Sequence, residues 1–86
     1  MTVNKTAKEM FEELGYYVET EKFALFYKRK NHPLTIIFYL KEKYVRIAEE
    51  HYIGELGLYE YLAIDNPITI ELHKAIHRQM EEIGWL

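Results

Sequence analysis

Between Tyr16 and Glu49 the chain has no room for a crossover connection. Four runs rich in β-branched and aromatic residues, Tyr16–Thr20, Phe23–Arg29, Leu34–Leu40 and Tyr44–Glu49, follow one another with only two to four residues between them. A parallel strand pair needs a connection of a dozen residues or more, so each strand here must turn back on its predecessor. The spacing predicts an antiparallel meander of about four strands with turns at Glu21-Lys22, Lys30-Asn31-His32-Pro33 and Lys41-Glu42-Lys43. Successive side chains on a strand point to opposite faces. Ile36, Phe38 and Leu40 therefore share one face with Val45 and Ile47, while Thr35, Ile37, Tyr39, Tyr44 and Arg46 share the other. The second run is apolar in both phases, with Phe23, Leu25 and Tyr27 in one and Ala24 and Phe26 in the other.

The flanks change period. Ala7, Met10, Phe11 and Leu14 fall at the i, i+3, i+4, i+7 spacing of a helix face, which predicts a helix over about residues 5 to 14. Thr6 with Glu9 three residues on fits a capping box, Asn4 is an alternative cap one turn earlier, and Gly15 suits the left-handed stop. Leu72, Ala75, Ile76, Met80 and Ile83 form a second stripe, which with Thr69 as cap and Gly84 as stop predicts a helix from about 70 to 83. The two helices end alike, in Glu12-Glu13-Leu14-Gly15-Tyr16 and Glu81-Glu82-Ile83-Gly84-Trp85. A glycine cap followed by an aromatic that folds back explains both without invoking a repeat. Two acids near a helix C-terminus are otherwise unfavourable. Residues 50 to 66 fit a further edge strand or a short helical turn equally, and Asp65-Asn66-Pro67 reads as a turn. The predicted fold is a single α+β domain over residues 1–86: a two-layer sandwich with both helices on one face of the meander.

Composition supports a packed core and removes several chemistries. Hydrophobic residues make up 49% of the chain, and two prolines and four glycines are too few for a disordered tract. The absence of cysteine excludes disulfides, thiolate metal sites and a thiol nucleophile. Serine is missing as well, and no glycine-rich phosphate loop has a recognised spacing. Neighbouring acids such as Glu49-Glu50 read as solubilising surface. No enzymatic role and no cofactor are expected. The N-terminal segment is charged where a signal peptide is apolar, and no apolar run approaches the roughly 18 residues of a membrane span, so the expected location is cytoplasmic.

Charge is unevenly spread. Lys22 to Arg46 holds seven basic residues and one acid, Glu42, whereas the rest of the chain holds four basic and thirteen acidic residues. Cations framing aromatic rings suit a protein partner, a second copy, or single-stranded nucleic acid. The candidate partner-binding residues are Tyr27, Arg29, Ile37, Tyr39, Tyr44 and Arg46. Tyrosine also simply suits half-exposed strands. On the second helix His73, His77 and Glu81 stand four apart, a column that suits a divalent metal in principle. It lacks an evident further ligand beyond His51 or His32, and a solvated helix face is the better account of it, so no metal site is expected.

The segments Ala7 to Tyr16 and Glu71 to Trp85, about a third of the chain, resemble small proteins encoded by phages and prophages of Gram-positive bacteria. Those proteins share an EELGY-like start and an ELxAIxxQxxELGW-like end around a variable β middle, with Ile83 here where leucine is usual. The resemblance implies a phage or mobile-element origin and transfers no activity or catalytic residue. The resulting expectation is a non-catalytic interaction or self-associating module. A nucleic-acid-binding module using residues 22–46 is the alternative, and a metal-dependent enzyme is third.

Overall fold

The short connections build the meander, and the chain adds a fifth strand to it. The structure is a computed structural model that describes residues 5–63 and 67–86. Its elements are α1 (Ala7–Glu13), β1 (Tyr16–Thr20), β2 (Ala24–Arg29), β3 (His32–Tyr39), β4 (Tyr44–Ile53), β5 (Leu58–Ala63) and α2 (Ile70–Glu82). The sheet is antiparallel throughout, in the order β1-β2-β3-β4-β5. The α+β architecture is as the spacing required. The segment with two equal readings resolves as a strand: β4 runs on to Ile53, and β5 pairs with it from Ile53↔Leu58 to Ala48↔Ala63. The turn read at Asp65-Asn66-Pro67 and the alternative cap Asn4 fall on or border residues outside the described ones. Among the described residues no helix is long and apolar enough to cross a membrane.

Both helices pack on the same face of the sheet. Phe11 of α1 and Leu72, Ala75 and Ile76 of α2 are buried with Tyr16, Tyr27, Leu34, Ile36 and Phe38, while Val45 and Ile47 pack against the same cluster. Phe11 is its centre. Its ring stacks on Tyr27 at 3.8 Å between centroids and meets Tyr16 and Phe38 edge-on at 5.8 and 6.2 Å. The Tyr27 hydroxyl donates a hydrogen bond to Gln79 Oε1, so one side chain of β2 touches both helices.

The helix ends behave as their sequences suggested. Thr6 and Glu9 form the capping box, and Thr69 accepts a hydrogen bond from the Leu72 amide. Gly15 and Gly84 take φ values of +92° and +79°, the left-handed stop. The aromatics that follow dock inward, Tyr16 on Phe11 and Trp85 on Phe38 at 6.2 Å. The acid at the end of α2 has its own explanation. Glu82 Oε2 accepts a hydrogen bond from the Ala7 amide at 2.7 Å, so it sits at the positive N-terminus of α1. The helices thus run antiparallel, with the end of α2 fastened to the start of α1, where Arg78 Nε also donates to the Lys5 carbonyl at 3.1 Å.

Burial raises the Tyr27 pKa to about 12, with Glu82 and Glu12 adding to the shift. A raised tyrosine pKa favours the protonated fold. Its stability contribution is therefore fully present below the ordinary value near 10 and is lost as pH climbs through about 12. Tyr27→Phe is expected to cost about 1–2 kcal/mol at neutral pH, because Gln79 loses its donor. The variant should also flatten the alkaline decline in stability, as read by urea denaturation at a series of pH values.

Candidate interaction surface

The face away from the helices carries Phe26 and Lys28 on β2, Thr35, Ile37 and Tyr39 on β3, Tyr44, Arg46, Ala48, Glu50 and Tyr52 on β4, and Tyr59 and Tyr61 on β5. Its centre is closed by the sheet's own side chains. Ile37 and Ala48 are fully buried although no helix lies over them, with Phe26, Tyr39 and Tyr61 packed around them. Phe26 and Tyr61 start three strand spacings apart, about 14 Å at the backbone, yet their rings meet at 5.7 Å. Long side chains can lean together in this way only over small neighbours, which Ala48 and Thr35 supply.

A polar clasp spans the same centre. Lys28 Nζ lies 2.8 Å from Glu50 Oε2 and 3.3 Å from Glu19 Oε1, and the Tyr61 hydroxyl donates to Glu50 Oε2 at 2.8 Å. Burial works against the charge on Lys28, but its hydrogen bonds to Glu50 and Glu19 outweigh this and raise its pKa. For Glu50, burial is likewise outweighed by hydrogen bonds from Lys28 and Tyr61, and its pKa is lowered. Burial and then the bond to Glu50 push Tyr61 up to about 12.

This arrangement corrects part of the expected partner surface. Tyr27 lies on the helix side, buried at 2% exposure, because β2 presents Leu25 and Tyr27 to Phe11 and Ile36. Arg29 shares that phase, with its guanidinium 5.6 Å from the Tyr16 ring centre. Ile37 is on the expected face but under cover. Tyr39, Tyr44 and Arg46 do lie together at one end, with the two tyrosine rings 4.8 Å apart. Phe23, Lys22, Lys41 and Lys43 join them, since the Leu40 amide bonds the Phe23 carbonyl and ties the two turns together.

The largest apolar exposure lies at the opposite end, in a hairpin arm that the strand pattern left unassigned. Tyr52 and Tyr59 face each other on one side at 5.1 Å between rings, Leu58 and Leu62 lie on the other, and Leu56 is at the tip. All five are 45–66% exposed. The molecule measures 53 Å along its longest axis against 26 and 21 Å across. The available signal was the alternation Leu58-Tyr59-Glu60-Tyr61-Leu62 after the Gly54 to Gly57 turn.

His73 and His77 stand with ring centres 6.5 Å apart in an open groove that Lys5, Lys74, Arg78 and Glu81 also line. Glu81 is 3.7 Å from Arg78, His51 pairs with Glu49 on the arm, and His32 Nδ1 accepts a hydrogen bond from the Leu34 amide. Among the described residues no three His, Asp or Glu side chains gather as a metal site. Comparison with protein-family models, curated proteins and solved structures finds no match to the chain.

The clasp makes a measurable claim about the closed centre. Glu50→Gln removes the charge that holds Lys28 and is expected to lower stability by about 1–2 kcal/mol at neutral pH. Chemical denaturation reads the loss, which should shrink towards zero as the pH falls below the ordinary glutamate range.

Proposed function

We propose that this chain is a non-catalytic interaction module whose main contact surface is the β4–β5 arm, with the opposite end of the sheet around Tyr39, Tyr44 and Arg46 as a separate second patch. The observation that carries the reading is the grouping of Tyr52, Leu56, Leu58, Tyr59 and Leu62, all exposed, on one projecting hairpin. Scattered exposed apolar residues need no explanation, whereas a contiguous group on a projection is the usual form of a contact site. The fold can spare these side chains because Phe11, Tyr27, Phe38 and the closed outer centre supply the core without them. The role is that of an accessory protein, in keeping with the phage or prophage origin that the terminal motifs imply.

The double variant Tyr52→Ser, Leu58→Ser tests it. Its denaturation midpoint and circular dichroism should stay within about 0.5 kcal/mol of the parent. It should lose the self-association, or the stoichiometric partner, that the parent shows by solution mass and by affinity capture. A parent that is monomeric and retains nothing the variant fails to retain contradicts the reading.

A second reading rests on the basic end. Among the described residues Lys22, Lys41, Lys43 and Arg46 enter no ion pair, and they stand beside Phe23, Tyr39 and Tyr44. Such a set can take the backbone and bases of single-stranded nucleic acid. With about three or four phosphates neutralised, log Kobs should fall against log salt with a slope of about −2 to −3. Absence of oligonucleotide binding at low salt dismisses it.

A further inference from the structure

β5 is an edge strand, and among the described residues no strand pairs with its outer side. Sheet edges are ordinarily blunted by proline, lysine, a bulge, shortness or a covering element. β5 has no proline and no lysine, and it pairs with β4 without interruption over six residues. The opposite edge, β1, is shorter and lies against α1.

We infer that a second copy of this chain completes the β5 edge, two copies pairing antiparallel about a two-fold axis at Tyr61 to give one continuous ten-stranded sheet. The inference rests on the reading of the arm as a contact surface and names its occupant. Facing residues on paired strands must lie on the same side of the sheet, so a two-fold axis has to pass through a residue pair. Centring on Glu60 would set two like charges opposite one another, which destabilises a pair. Centring on Tyr61 instead sets Glu60 opposite Leu62 of the other copy.

Charge supports the same register. No lysine or arginine occurs between Arg46 and Lys74, so the arm carries Glu55 and Glu60 with no compensating cation of its own. Tyr61 is level with Glu50 on β4. Three residues along from the axis, Leu58 of one copy comes level with Ile47 of the other, and the turn that carries Glu55 reaches on from there towards Arg46 and Lys43. Those two cations enter no ion pair among the described residues. Each acidic tip therefore reaches towards the other copy's basic end, and the contact closes after two copies.

The area suffices. Tyr59, Leu58, Leu62 and Tyr52 are each about half exposed or more. Together they offer on the order of 500 Å² per chain, taking about 150–250 Å² for a whole aromatic side chain. Two such surfaces with the paired backbone set an upper bound on the order of 1,000 Å², the low end for a specific interface.

Sedimentation equilibrium of the full chain from micromolar to millimolar concentration should fit a monomer–dimer equilibrium with no larger species. Leu62→Lys, at a half-exposed position, should keep the fold by circular dichroism and weaken dimerisation by at least about tenfold. Because the chain has no cysteine, Tyr61→Cys puts a single thiol on the axis. Facing Cα atoms there stand about 4.5–5.5 Å apart, within disulfide reach. That variant should oxidise to a covalent dimer at least about tenfold faster than Tyr17→Cys on the other edge. A monomer at every concentration, growth beyond two copies, or equal cross-linking at positions 17 and 61 overturns the pairing. A monomer that still holds a partner through the arm overturns the pairing alone and leaves the interaction reading standing.

Discussion

The fold depends on β3 being buried on both faces while helices cover only one of them. Leu34, Thr35, Ile36, Ile37 and Phe38 are five consecutive buried residues, the pattern of a strand between two layers. On one side the second layer is the helix pair, brought to the sheet by Phe11 on Tyr27 and by Trp85 on Phe38. On the other side no element is available, and the sheet covers itself with Phe26, Tyr39 and Tyr61. The clasp of Lys28, Glu50 and Tyr61 completes that cover and satisfies its own polar groups across three strands. Small domains have little interior to spare. This one gains a second layer without spending residues on a third helix.

The closed centre decides what is left for contact. A sheet face that roofs itself offers a partner little apolar surface in the middle, so the exposed aromatics move to the ends. One end is basic, with Tyr39, Tyr44 and Arg46. The other is a two-stranded extension in which residues of both faces are exposed, because neither the helices nor the roof reach that far. An isolated two-stranded hairpin is marginally stable in water. The arm is therefore the part of this sheet that gains most from a neighbour. The closed terminal framework, with Glu82 on the α1 N-terminus and Lys5 on Glu13, gains nothing from one.

Much of this was legible in the sequence, for reasons that can be named. Loop lengths alone required the meander, because two to four residues cannot make a crossover. The helix stripes and caps at Thr6, Gly15, Thr69 and Gly84 are local devices, and they appear where local rules put them. The phase of β2 was not legible, since Leu25 and Tyr27 in one phase and Ala24 and Phe26 in the other are all apolar. Only Phe11, a residue of another element, decides it, and that placed Tyr27 and Arg29 on the helix side. β5 was obscured by the glycines at 54 and 57, which fit a helical turn as readily as a hairpin loop. The burial of Ile37 could not be read at all, because it depends on side chains from β2 and β5 meeting over Ala48 and Thr35.

The sheet is sealed at β3 and open at its arm. Native-state hydrogen exchange read amide by amide tests it directly, since exchange reports the free energy of opening at each position. The amides of residues 34–38 should exchange only through global unfolding. Those of residues 51–60 in dilute solution should exchange through much smaller local openings. Amides of Thr35 or Ile37 that exchange as fast as those of the arm would contradict it.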